Sequence, residues 1–74
     1  MTPLASIPPG TRVRIVSIEG GAGRRRRLME MGLTPGTEVV LLSSFPGPVV
    51  VEVRGVRIAI GRGMASSIMV EPVQ

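Results

Sequence analysis

One stretch of this chain is built for a helix, and every other periodic run is built for a strand. The helical stretch reads Arg24-Arg25-Arg26-Arg27-Leu28-Met29-Glu30-Met31. None of its residues is β-branched, and Arg, Leu, Met and Glu lose little side-chain freedom in a helix. Gly20-Gly21-Ala22-Gly23 precedes it and reads as a flexible hinge. Gly32 follows it, where a left-handed C′ residue would close the helix. Leu33 then becomes the C″ residue and meets Leu28 in a Schellman end. Pro35 forbids resumption, and Thr34-Pro35-Gly36-Thr37 suits a type II turn. A helix of about ten residues is roughly 15 Å long and marginal alone, so packing must hold it.

The flanking runs alternate. Ile7-Pro8-Pro9-Gly10-Thr11 is a turn that launches a first strand over Thr11 to Ile18, after a loose lead-in from Met1 to Ser6. Val13 and Ile15 share one face while Val16 and Ile18 share the other, which predicts a β-bulge near Ile15. Thr37 to Ser44 is a second strand, apolar on both faces at Val39-Val40-Leu41-Leu42, with one face on the core and the other under the helix. After the Ser44-Phe45-Pro46-Gly47-Pro48 loop come Val49 to Val53 and Val56 to Ile60, joined by a tight reversal at Arg54-Gly55. Val49, Val51, Val53, Val56, Ile58 and Ile60 are expected inward, with Glu52, Arg57 and Ala59 outward. Gly61 to Ala65 forms a single helical or 3-10 turn, and Ser67 to Glu71 is the last strand, ended by Pro72. The sum is a mainly β chain: a small SH3-like five-stranded barrel. One short α-helix lies between strands 1 and 2 and a 3-10 turn before the last strand, in a single domain over residues 1–74.

Composition narrows the chemistry. The chain has no His, Cys, Asp, Lys, Tyr or Trp. The usual general bases and nucleophiles are missing, so no catalytic residue is assigned and the chain does not read as an enzyme. Imidazole and thiolate are missing too, and the glutamates Glu19, Glu30, Glu38, Glu52 and Glu71 are scattered, so no metal site and no cofactor are assigned. The absence of cysteine fits a cytoplasmic protein. No signal-peptide pattern opens the sequence and no apolar run reaches the roughly 18 residues of a membrane span, so no membrane insertion is expected.

All nine basic residues are arginines, and the net charge is +4. Codon usage in a GC-rich genome is one reading of that; a preference for acidic or polyanionic partners is the other. Four of the arginines sit together in what the pattern places as the first helical turn, where the helix dipole favours negative charge. Arg26 and Glu30 make an i,i+4 pair in the weaker orientation. A cluster that breaks a local rule is a candidate for function. Arg24, Arg25, Arg26 and Arg27 are therefore candidate interaction residues, against the plainer reading of a solvated basic face.

The chain carries Pro9-Gly10, Gly20-Gly21, Arg27-Leu28, Met31-Gly32-Leu33 and Pro35-Gly36 in that order. Later come Gly47-Pro48, Val53-Arg54-Gly55, Ile58-Ala59-Ile60, Ala65, Ile68 and Val70. With these pieces in order, the chain resembles the FeoA family, the small cytoplasmic protein A of bacterial ferrous iron transport. The resemblance implies an SH3-like barrel acting as an accessory protein or regulator beside FeoB, a membrane transporter of ferrous iron with a cytoplasmic GTPase domain. It also implies a similar domain at the C-terminus of iron-dependent repressors. The run of four arginines and the lack of lysine depart from many relatives.

Four apolar residues are further candidates for protein contact: Leu28, Met29, Met31 and Phe45. Leu28 is needed by the helix end and reads as core, whereas Met29 reads as exposed and adaptable. Phe45 is either an interaction anchor or a ring folded over the open end of the barrel. Gly20 to Gly23 lacks the order of a phosphate loop and reads as a hinge. Three functions compete. The first is an interaction module for the cytoplasmic part of FeoB. The second is a nucleic-acid-binding barrel, opposed by the near absence of aromatic residues for stacking. The third is a peptide-binding repressor domain. Apolar residues on both strand faces also allow self-association.

Overall fold

The computed structural model describes residues 1–73. In chain order they form β1 (Thr2–Pro3), a 3-10 turn (Leu4–Ser6), β2 (Arg12–Ile18), α1 (Ala22–Glu30) and β3 (Glu38–Ser43). Then follow β4 (Val49–Val53), β5 (Val56–Ile60), α2 (Arg62–Ala65) and β6 (Ile68–Pro72). The strands make one antiparallel sheet in the order β1-β6-β2-β3-β4-β5. The sheet has six strands where the alternation predicts five. The addition is β1, which pairs Thr2 with Val70 and Pro3 with Met69. The residues expected as a loose lead-in are thus anchored, and Leu4 is fully buried behind them.

The bulge on β2 lies where the apolar parity slips. Ile15 pairs with Val70, Ser17 pairs with Met69, and Val16 is the extra residue between them. The extra residue turns Ile18 back to the core alongside Val13 and Ile15. A second bulge, between Leu41 and Ser43 of β3, leaves Leu42 as the extra residue. These two kinks curl the sheet around Val13, Ile15, Val39, Leu41, Val51 and Val70, all almost wholly buried.

The helix end closes as its residues dictate. Gly32 has φ +91°. Its N–H donates to the Met29 carbonyl at 3.0 Å and the Leu33 N–H donates to the Leu28 carbonyl at 3.0 Å, the two bonds of a Schellman end. Leu28 and Leu33 are fully buried. The turn that follows closes with the Thr37 N–H donating to the Thr34 carbonyl at 3.1 Å, with Gly36 at φ +93°. It docks on the bulge: the Gly36 N–H donates to the Ile15 carbonyl at 2.7 Å, and the Ile15 N–H donates to the Thr37 carbonyl at 2.9 Å.

Other expectations are corrected by the packing. Of the helical and 3-10 forms expected for the turn before the last strand, the α-helical one is present, because Ala65 and Ser66 donate to the carbonyls four residues back. The 3-10 turn is at Leu4–Ser6 instead, and it packs against α2. Pro72 is the last residue of β6 rather than its stop, since it pairs with Val13. Val56 is 60% exposed although the alternation places it inward, because β5 is an edge strand and only Ile60, near its far end, is buried. α1 buries Leu28 in the same core as Val39 and Leu41, while Val40 and Leu42 on the other face of β3 lie outside that cluster. The Arg54-Gly55 reversal has φ of +52° and +81°, so the arginine as well as the glycine is left-handed.

Candidate functional site

α1 starts earlier than the arginine run. Gly21 is its N-cap, with φ 95° and ψ 171°, and no side chain caps the helix. Ala22 and Gly23 fill the first two helical positions, so Gly23 belongs to the helix and not to the hinge. The arginines consequently run from the third position into the last turn. Arg27, in that last turn, is a cation where the dipole favours one. The expected conflict with the dipole is thereby confined to Arg24 and, more weakly, Arg25.

All four arginines are exposed, and Leu28 is the buried residue that anchors the helix. Successive helical residues are about 100° apart, so Arg24 and Arg27 flank Leu28 on one side, Arg25 and Met29 on the other, and Arg26 points away. The salt bridges among the described residues lie elsewhere, on the outer face of the sheet. Arg12 meets Glu38 at 3.7 Å, Arg14 meets Glu38 at 3.5 Å, and Arg14 meets Glu71 at 3.4 Å. Arg26 and Glu30 do not form the expected pair. Four positive charges therefore stand on one short helix with a single glutamate, and among the described residues no carboxylate is within ion-pair distance of them.

Between α1 and α2 lies an open cleft lined by Gly23, Arg24, Arg27 and Met64. One of its lining residues, Arg24, lies close over Gly20. A Cβ at Gly20 would stand 2.9 Å from Arg24 Cδ, so the bare glycine gives the Arg24 stem room to fold back over the chain. Met64 is half-buried and packs on the core, giving the cleft an apolar floor. Gly20 and Met64 were not candidates from the sequence. Met64 lies far from the arginines along the chain, so no local pattern joins them.

The apolar candidates do not form one patch. Leu28 is core, as is Leu33. Met29 and Met31 are 41% and 36% exposed. They are two residues apart and face different ways. Phe45 is 81% exposed, so its ring does not fold over the barrel. Its loop is held from below, because Arg62 of α2 donates to the carbonyls of Ser44 and Gly47. Among the described residues, no three His, Cys, Asp or Glu side chains converge as metal ligands. Among the described residues, no helix is long and apolar enough to cross a membrane.

Residues 2–72 match the FeoA domain family. The chain belongs to that family. It is 41% identical over 71 residues to a protein of Methanocaldococcus jannaschii named "Putative Fe(2+) transport protein A", covering 96% of this chain and 87% of the relative. It superposes on the crystal structure of FeoA, an iron uptake regulatory protein, with a TM-score of 0.90 and 43% identity, covering 97% of this chain and 96% of that one. It also superposes on the crystal structure of IdeR from T. acidophilum, with a TM-score of 0.87 and 29% identity. That match covers 97% of this chain and 34% of the longer one. The fold of this FeoA-family chain is the SH3-like one that the strand pattern and the resemblance predict.

Proposed function

We propose that this chain is a non-enzymatic accessory protein of ferrous iron transport, acting by contact with the cytoplasmic part of the FeoB transporter. Family membership and the iron transport and uptake named for its relatives support the setting. The observation that carries the contact is the α1 surface: four exposed arginines on a helix fixed by one buried leucine, without carboxylate partners among the described residues. Such a face attracts an acidic protein surface and steers its approach. The GTPase domain of FeoB is cytoplasmic, so the chain acts there. It is not itself a strong ferrous chelator, since its composition lacks imidazole and thiolate and its glutamates are scattered.

The test is a titration of the purified chain against the soluble GTPase domain of its transporter, with and without a GTP analogue. Saturable binding that is weakened when Arg24 to Arg27 are changed to Ser, with the circular dichroism unchanged, is the expected result. Absence of binding in both nucleotide states would overturn this contact. The IdeR match favours one second reading, a regulatory domain of the kind appended to a repressor. Sequence-selective retention of duplex DNA by a longer chain that contains this domain would support it. Direct nucleic-acid binding by the barrel is disfavoured, because the one aromatic ring, Phe45, lies in a loop and no ring lies on the sheet for bases to stack on.

A further inference from the structure

The sheet ends on two strands of different character. β1 is two residues long and contains Pro3, which has no N–H to offer a neighbour. β5 is five residues long and has β4 on one side and no strand on the other. It carries no proline, no inward-pointing charge and no bulge in its register with β4, so it lacks the usual devices that blunt an edge.

The hairpin decides which backbone groups are spare. Its two-residue turn makes Val53 and Val56 the first hydrogen-bonded pair, and such pairs alternate along an antiparallel ladder. Val56, Ile58 and Ile60 therefore direct their N–H and C=O groups at β4. Arg57 and Ala59 direct theirs at the open edge. Both residues are exposed, and no loop or turn backbone bond among the described residues engages them. The side chains are also uncovered: Val56 is 60% exposed, and Ile58 is only partly buried.

We infer that β5 pairs antiparallel with β5 of a second copy of this chain, across a two-fold axis at Ile58. In that register Arg57 exchanges both backbone bonds with Ala59 of the second copy, and Ala59 does so with its Arg57, so every spare group finds a partner. Ile58 faces its own twin in the non-hydrogen-bonded pair, where side chains approach most closely. Val56 lies opposite Ile60, so no charge is set against the exposed valine. Arg57 lies opposite Ala59, so no like charges are opposed. An axis at Arg57 would set two guanidiniums against each other, and an axis at Ala59 would leave Val56 beyond the paired strands. The strand is thus complementary to itself in one register, which favours a second copy over a foreign strand.

Two measurements test this. In sedimentation equilibrium the chain is expected to pass from monomer to dimer with concentration. Ala59→Pro removes an edge N–H that β4 does not use, and is expected to raise the dissociation constant roughly tenfold or more. The chain has no cysteine, so single thiols can be placed cleanly. Under mild oxidation Ile58→Cys is expected to form a covalent dimer several-fold faster than Val56→Cys. Val56 is the more exposed residue, but its twin would lie four positions along the strand, about 13 Å away. This comparison does not depend on the proline variant folding. A chain that stays monomeric at its solubility limit, or cross-linking that follows exposure instead of register, would overturn the inference.

Discussion

Gly32 shows how one residue fixes the end of a functional element. Its φ of +91° is open to glycine and strained for other residues, and nothing lies within 4 Å of where a Cβ would stand. Gly32→Ala is therefore expected to cost about 1–2 kcal/mol through the backbone alone, measured by urea unfolding. Leu28 is the opposite case, a side chain with no exposed surface. Leu28→Ala should cost about 2–5 kcal/mol, and a variant that lost partner binding at unchanged stability would contradict its place in the core. Both residues were legible in the sequence because their roles are local: one glycine position, one leucine five residues before another. Phe45 was not legible. Its ring faces water, in a loop whose backbone is held by Arg62 from another part of the chain, a contact that no local pattern announces. Leu4 was hidden for a related reason, since a two-residue strand has no period to read.

The elements divide in the same way. The bulge on β2 was visible because the apolar parity slips between Ile15 and Ser17. The bulge on β3 was invisible because Val39-Val40-Leu41-Leu42 is apolar throughout and has no parity to break. The α1 arginines were legible as a cluster, but the cleft they form with Met64 was not, because α2 reaches it only through the fold. α1 is held by Leu28 and not by its arginines, so changing Arg24 to Arg27 to Ser should leave the thermal midpoint almost unchanged. Loss of the native dichroism in that variant would contradict the packing described. Arg62→Ala should leave α2 formed while amide exchange over residues 44–48 speeds up. Unchanged exchange there would show that the loop holds itself.

At the scale of the whole molecule, the charge is distributed unevenly. Arg12 and Arg14 are paired with Glu38 and Glu71 on the sheet, while the arginines of α1 face solvent without such partners among the described residues. The arginines outside those ion pairs are Arg24 to Arg27 on α1 and Arg54, Arg57 and Arg62 elsewhere, so α1 carries the densest cluster of positive charge. Binding through that face should weaken as salt rises, because exposed charges are screened over about 10 Å at 0.1 M ionic strength. The sharpest test compares two variants of equal net charge against the FeoB GTPase domain by calorimetric titration. One carries Arg24→Ser with Arg27→Ser, which strips the cleft. The other carries Arg54→Asn with Arg57→Gln, which removes the same charge from the β4–β5 hairpin. The account predicts that the first loses roughly tenfold or more in affinity while the second stays within about twofold. Equal losses from both would mean that the chain is attracted only by its overall charge, and would contradict a binding face on α1.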